Sequence, residues 1–327
     1  LNTYFILSSR ESFEFFTSDV NDATSFPAAR EFANNDSKKI TAVKASNSEL
    51  WAFKETSIVT YNNDANTVFP FVKNLGVELG VGCVAKHTIS FHKNGFYFLG
   101  SDKIIYSTSG YSLTPISTLP ISEKIQNFTN VNNAFAFCYT QDGSDFYCIT
   151  FPDEDQDITY EYNITTGRWH NRISRKNTKE TRWLANCHEF FNNVNLVGDK
   201  DTGIIYQIDS QSYKEGQEPI VREVVSSTLS SDYSEIAVSR LVLFMEAGVG
   251  LVDGQGSDPK ISFSISNDGQ NFKFNESKSF GKIGEYDTEL SFRQLGSARN
   301  FIFKIRMTDP VKFVINNAYL NADVGYS

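Results

Sequence analysis

The sequence is poor in the residues on which most enzyme chemistry depends. Its 327 residues include four histidines, four cysteines and two methionines. Cys83, Cys138, Cys148 and Cys187 fall in no CxxC spacing, which argues against the common zinc frameworks. Cys138 and Cys148 flank the turn Gln141-Asp142-Gly143-Ser144. With Asp142-Gly143 as a two-residue loop, Cys138 faces Tyr147 and Cys148 points to the opposite side. The expectation is therefore four buried thiols in a protein assembled inside a cell, with no disulfide. HExxH, Walker and GxGxxG strings are missing, and the glycines of residues 76–82 have no helical pattern after them. His87 and His92, taken on one strand, point to opposite faces. No Ser/His/Asp group can be assembled from spacing. No apolar run approaches the roughly 18 residues of a membrane span. Cations are outnumbered as well, with 30 Lys and Arg against 39 Asp and Glu and a net charge of −9. That balance argues against tight, sequence-independent binding to phosphates but not against DNA passing nearby. Catalytic residues, metal and cofactor are all expected to be none. The first residue is Leu1 rather than Met, so the natural chain is expected to begin earlier.

What is present is aromatic and strand-forming, with 28 Phe and 15 Tyr among many Ser, Thr, Asn and Asp. Residues 94–111 set the pattern. If Ser101-Asp102 is a two-residue loop, Leu99 sits opposite Ile104, Tyr97 opposite Tyr106 and Phe98 opposite Ile105. Both faces of this hairpin are apolar, so it must lie between other sheets. Similar hairpins recur at residues 4–16, 49–61, 134–151 and 195–208. Aligned on Tyr4, Trp51, Tyr97, Phe146 and Leu196, the steps are 47, 46, 49 and 50 residues. That period fits a four-stranded propeller blade. In the fourth hairpin Phe135, Phe137, Tyr139 and Phe146 share one face, against Ala134, Ala136 and Cys138 on the other. The alternative is a plain sandwich whose strands happen to be evenly spaced. Residues 214–219 form a polar break. Beyond it, longer strands are expected at 220–226, 236–246, 260–266, 286–292, 301–307 and 311–320. The fold class expected is all-β: a propeller-like body over residues 1–213, then a C-terminal β module over 220–327, either a sandwich or additional blades.

Three local patterns invite a functional reading. Asp153, Asp155 and Asp157 alternate like the first ligands of a calcium loop, but the later Gly and Glu are missing, so a solvated turn is favoured over a weak cation site. Ser266-Asn-Asp268-Gly269-Gln-Asn-Phe272 resembles the Asp-box of sialidase-like propellers, with Gln270 in place of the second Gly. That motif stabilises a turn and does no chemistry. Arg168-Trp169-His170-Asn171-Arg172 and Arg182-Trp183 could stack on a base or a sugar, although packing between blades is favoured.

One set of strings resembles a known family. Gly82-Cys83-Val-Ala85, Thr166-Gly167-Arg168-Trp169 and Val197-Gly198-Asp199 belong to it. The densest part is Glu246-Ala-Gly248-Val-Gly250-Leu251, Gly254-Gln255-Gly256-Ser-Asp-Pro259, Ser266-Asn-Asp268-Gly269 and Gly281-Lys-Ile-Gly284-Glu-Tyr286. These resemble the packaged-DNA stabilisation proteins of short-tailed phages, across nearly the whole chain. The resemblance implies a structural virion protein of the tail, assembled in the host cytoplasm, and no enzyme. It further implies a homo-hexameric ring below the portal and its adaptor that closes the head after packaging. Tailspikes or fibres and a needle are the implied partners, with DNA passing through the channel. The alternative class is a carbohydrate-binding or glycosidase-type propeller. Gly248, Gly250, Gly254, Gln255 and Gly256 are the candidate interface loop, unless they only shape a long hairpin loop.

Overall fold

The computed structural model of the chain describes residues 1, 3–9, 12–27, 30–32, 38–46, 48–64, 69–93, 95–153, 156–177 and 179–325. Two compact units are present. The first contains Leu1–Ile173 and Arg182–Ile208; the second contains Ser174–Thr181 and Asp209–Ser327.

Each repeated hairpin lies in its own antiparallel sheet, and strands adjacent in sequence are adjacent in the sheet. The first sheet is Ile6–Ser8, Glu14–Thr17 and Arg30–Phe32; the second is Ile40–Ser46, Glu49–Lys54, Ile58–Asn63 and Phe71–Leu79. The third is Ser90–His92, Gly95–Leu99, Ile105–Ser109 and Ser112–Pro115. The fourth is Phe135–Gln141, Ser144–Phe151, Ile158–Asn163, Arg168–Lys176 and Lys179–Arg182; the fifth is Ala185–Phe191, Val194–Asp199 and Ile205–Gln207.

The two-residue period of a strand explains how these sheets stack. Along Glu49–Lys54, Leu50 and Ala52 enter a core shared with Phe15 of the first sheet. Trp51 and Phe53 point the other way, into a core shared with Phe96 and Phe98. Along Gly95–Leu99, Leu99 and Tyr97 leave that core for the next, with Tyr147, Ile149 and Phe151 of the fourth sheet. Cys148, Phe137 and Tyr139 then face the fifth sheet, with Ala185 and Val197. Each inner sheet therefore serves two cores, the arrangement of propeller blades.

The fourth hairpin has the expected register: Cys138 pairs with Tyr147 and Gln141 with Ser144. Asp142 (φ 48°) and Gly143 (φ 77°) are both left-handed, as a type I′ turn requires. The third hairpin differs by one residue. Leu99 pairs with Ile105, Phe98 with Tyr106 and Tyr97 with Ser107. The cause is Lys103, which adopts φ 61° and extends the loop to three residues, Ser101 to Lys103. Lys103 N–H bonds Gly100 O at 3.0 Å, and its amine holds Gln126 O and Phe128 O at 3.1 and 2.8 Å. These carbonyls close the end of the helix Leu119–Gln126, which the sequence reading did not assign. The slip leaves both faces buried, since Leu99 and Ile105 line one core and Phe98 and Tyr106 the other. Asn94, which opens that stretch, lies outside the described residues.

All four cysteines are free, but they are not all buried. Cys83 and Cys148 are enclosed, Cys138 is half-buried and Cys187 is exposed. Cys187 pairs with Gly198 just past the bulge that follows Ala185, and its sulfur lies over that glycine, 2.8 Å from where a Cβ would stand. His87 and His92 do not share a strand, because His87 lies in the short helical turn Lys86–Thr88.

The second unit is a β-sandwich. One sheet is ordered Arg222–Val225, Asn300–Met307, Lys260–Ser266, Lys273–Ser279, with Leu229–Ser230 also on Asn300–Met307. The other is Leu290–Ala298, Ile236–Met245, Ile315–Val324. Phe263, Phe280, Phe292, Leu243 and Phe301 form one core between them, and Phe263 stacks on Phe292 at 4.3 Å. A single core between two sheets is a sandwich rather than two further blades. Residues 214–219, expected as an irregular break, pair as Lys214–Glu215 with Glu218–Pro219 around Gly216 (φ 62°). Lys273–Ser279 and Leu229–Ser230 had not been expected as strands.

Candidate interface loop

Residues 246–259 connect Ile236–Met245 to Lys260–Ser266. Two other loops of the sandwich hold this one in place. Gly284 N–H bonds Gly248 O at 3.4 Å, and Phe280 N–H bonds Pro259 O at 3.2 Å. Within the loop, Leu251 N–H bonds Gly256 O at 2.8 Å. Gln255 Nε2 donates to Thr308 O at 3.2 Å and to Asp309 Oδ1 at 3.3 Å. Asp309 Oδ2 accepts from Lys260 N–H at 2.8 Å, and Ser279 Oγ donates to Asp258 at 2.6 Å. Lys312 pairs with Glu246 at 2.7 Å across the same end of the sandwich.

Two glycines are required by this geometry. Gly248 has φ 76°, and a Cβ there would stand 2.6 Å from the Tyr286 ring. Gly256 has φ 98°, with Val311 Cγ1 3.0 Å from such an atom. A Cβ on Gly250 would stand 2.9 Å from the backbone N of Ile283, whereas one on Gly254 (φ 74°) would face open space. All five expected residues thus belong to one connected loop system. What the sequence reading did not single out is its surface. Leu251 (39% exposed), Val252 (84%), Ile283 (58%) and Tyr286 (77%) are all apolar and solvent-facing, on two loops tied through Gly248 and Gly284. Isolated exposed apolar residues are ordinary; here four lie on two loops that are hydrogen-bonded to each other.

The other patterns resolve into structure. Asp268 Oδ1 accepts from Gln270 and Asn271 N–H at 2.9 and 2.8 Å, and Ser266 Oγ accepts from Gly269 N–H at 2.9 Å. These bonds, led by that of Asn271, hold the Asp268 carboxyl well below the usual range. The motif closes the hairpin Lys260–Ser266 to Lys273–Ser279. Asp155 lies outside the described residues. Asp157 faces cations, Arg182 Nε at 3.4 Å and Lys200 at 3.8 Å. Among the described residues no group of His, Cys, Asp and Glu has metal-holding geometry, and no helix is long and apolar enough to cross a membrane. Trp169 is packed: its Nε1 donates to Ile116 O at 2.7 Å and its ring lies 4.9 Å from Tyr162. Arg172 pairs with Glu161 at 3.1 Å and lies 4.1 Å above the Trp183 ring.

One group had no sequence signal. Asp145, 4% exposed in the fourth sheet, receives Lys93 and His92 (3.0 Å) from the third sheet and Thr140 Oγ1 (2.8 Å) from its own. Thr140 O in turn accepts from Asn195 of the fifth sheet at 2.8 Å, and Asn195 Oδ1 meets His188 Nε2 at 2.9 Å. Burial pushes the Asp145 carboxyl up, but the bonds from Lys93, Thr140 and His92 outweigh it and hold it below its ordinary value. This is a polar seam across three blades.

Comparison with known proteins agrees with the two-part build. No curated protein matches the chain. Among solved structures, BamB from Moraxella catarrhalis is similar at 10% identity and TM-score 0.37, over 62% of this chain and 53% of BamB, so the chain spans about half the length of that relative. The AfRom2 CNH domain is similar at 9% identity and TM-score 0.35, over 71% of this chain and 74% of that one. A family 43 arabinoxylan arabinofuranohydrolase from Bacillus subtilis is similar at 10% identity and TM-score 0.25, over 95% and 72%. None of these distant likenesses bears on activity. Family models are more specific: residues 1–213 match the β-propeller of bacteriophage P22 Gp10, and residues 221–323 match its β-sandwich. The chain belongs to the phage family of P22 Gp10, the packaged-DNA stabilisation proteins, which are structural proteins of the virion.

Proposed function

We propose that this protein is a tail hub: a homo-hexameric ring that joins below the portal and its adaptor, closes the head after packaging, retains DNA and carries tailspikes or fibres and a needle. Assembly takes place in the host cytoplasm. The division of labour follows the two modules, a blade body over residues 1–213 and a contact module over 220–327. The observation that carries this reading is the apolar group Leu251, Val252, Ile283 and Tyr286 on the glycine-shaped loops of the second unit. Adjacent exposed Asp253, Glu285 and Asp287 suit a rim around it. A net charge of −9 suits a conduit, because like charge keeps DNA from adhering to the wall. A glycosidase needs two carboxylates facing one cavity, and the buried carboxylates Asp145 and Glu161 are engaged with His92 and Lys93 and with Arg172.

The test is assembly on purified portal–adaptor particles filled with DNA. The wild-type chain is expected to form rings of six times the chain mass and to raise the nuclease-resistant DNA fraction. Val252→Asp with Tyr286→Lys should abolish ring formation while leaving the circular dichroism of the monomer unchanged. Gly254→Phe should act in the same direction: its side chain would project into open space from a left-handed backbone (φ 74°), so the fold of its monomer is verified by circular dichroism first. Rings formed normally by both variants would rule out the loop as the interface.

A further inference from the structure

A cavity of about 280 Å³ opens between the second and third sheets, bordered by Ser46, Glu49, Trp51, Phe96, Thr108 and Tyr111. Three aromatic rings form one side. Trp51 lies 5.2 Å from Phe96, and the Tyr111 ring, 44% exposed, stacks on Trp51 at 6.1 Å with 26° between the planes. Glu49 and Trp51, two apart on one strand, face the same side.

The polar groups facing this cavity are unevenly used. Glu49 Oε1 accepts from the Tyr111 hydroxyl and from Asn74 Nδ2 at 3.4 Å. No hydrogen bond to Oε2 is present among the described residues. Ser46 is 7% exposed, and its hydroxyl likewise has no partner among the described residues. The Thr108 hydroxyl accepts from Phe96 N–H at 2.8 Å. Among the described lining residues there is no Lys, Arg or His. Two other cavities differ in this respect: Lys273 lines one beneath the 266–272 turn, and Arg168 and His170 line the groove beside Trp169.

We infer that this cavity binds an organic cation of ammonium or guanidinium type, with the cation held between the aromatic wall of Trp51, Phe96 and Tyr111 on one side and the free Glu49 Oε2 on the other. An aromatic wall attracts a cation through its π face, and a carboxylate oxygen facing the same space adds a charge-assisted hydrogen bond. The Ser46 hydroxyl provides a further acceptor. A neutral sugar would gain from the rings but would leave the charge of Glu49 uncompensated. The inference is independent of the tail-hub reading, because it rests on a different unit and on no partner of the ring.

The experiment is a titration of full-length protein labelled with ¹⁵N-tryptophan, following the Trp51 indole signal. The probes are methylguanidinium, ethylammonium, the peptide acetyl-Gly-Arg-Gly-amide and methyl α-glucoside. The cations are expected to shift the Trp51 signal saturably. Glu49→Gln should weaken them at least tenfold, and Tyr111→Phe, which keeps the ring and releases Oε1, should bind at least as tightly as the wild type. A peptide tenfold tighter than methylguanidinium would assign the cation to an arginine of a protein partner; equal affinities would assign it to a free small cation. A Trp51 signal unmoved by every cation, full affinity in Glu49→Gln, or glucoside binding equal to that of the cations would overturn the inference.

Discussion

Replacing Asp145 by Asn should loosen the seam between the third, fourth and fifth sheets. The substitution keeps the volume but removes the charge that His92, Lys93 and Thr140 address. Breaking a buried ion pair costs about 3–5 kcal/mol. Lys93 is largely exposed, with 66% of its side chain accessible, so its share is closer to the roughly 0–1 kcal/mol of a surface pair. The bond from Thr140 is enclosed and goes to a charged acceptor, where it contributes on the order of 1.5–3 kcal/mol, while His92 Nε2 lies 3.0 Å from Asp145 Oδ1 without hydrogen-bond alignment. The amide oxygen introduced by the substitution would still accept from one of them. The expected net loss at pH 7 is about 2–3 kcal/mol. The direction with pH follows from the carboxyl's depressed value in the folded state. Its stabilisation is complete above the unfolded Asp value of about 3.9 and is lost as pH falls through the folded one. The wild type should therefore lose its advantage over Asp145→Asn progressively as pH falls below the unfolded Asp value of about 3.9. Denaturant melts followed by tryptophan fluorescence suit this test, because Trp51, Trp169 and Trp183 all lie in the first unit. A penalty under about 0.5 kcal/mol at pH 7, or one as large at pH 3 as at pH 7, would refute the reasoning.

Gly82→Ala should be more damaging than any other glycine substitution in the first unit except Gly95→Ala. Its Cβ would fall 2.3 Å from Lys54 O, Glu55 C and Thr56 N, and the shift would also strain Cys83 N–H to Lys54 O, so about 2–4 kcal/mol and a clear fall in melting temperature are expected. Asp268→Ala removes the acceptor for Gln270 and Asn271 N–H and should loosen that turn, read as faster hydrogen exchange in the strands Lys260–Ser266 and Lys273–Ser279 while the first unit is unchanged. In native protein a thiol reagent should label Cys187 first, whereas Cys83, pushed up to about 12 by burial, and Cys148, also raised by burial, should react only on unfolding; mass spectrometry of labelled peptides reads the order.

How far the sequence carried depended on whether a turn announced itself. Asp142-Gly143 allows left-handed backbone at both positions, and the register of its hairpin followed to the residue. Lys103 takes the same conformation without any compositional sign, because its amine finds the carbonyls of a helix end that lies well downstream. The strand Lys273–Ser279 was missed because its Lys, Asn, Glu and Ser residues give no apolar alternation. The candidate loop was visible through its glycines, while the surface it presents was not. Leu251 and Val252 lie on one loop and Ile283 and Tyr286 on another, and only folding ties the two loops together through Gly248 and Gly284. The seam at Asp145 was equally hidden, since Lys93 lies 52 residues away in sequence.

Because Glu49–Lys54, Gly95–Leu99 and Ser144–Phe151 each contribute alternate residues to two cores, the blades behave as a nearest-neighbour array. A defect in an inner blade weakens two joints at once, whereas among the described residues the first and fifth sheets each enter one shared core. An inner blade excised alone would have two bare faces and no core of its own, so it should remain unfolded. Viable length changes in this body should come in steps of whole sheets, with shorter insertions confined to the hairpin turns.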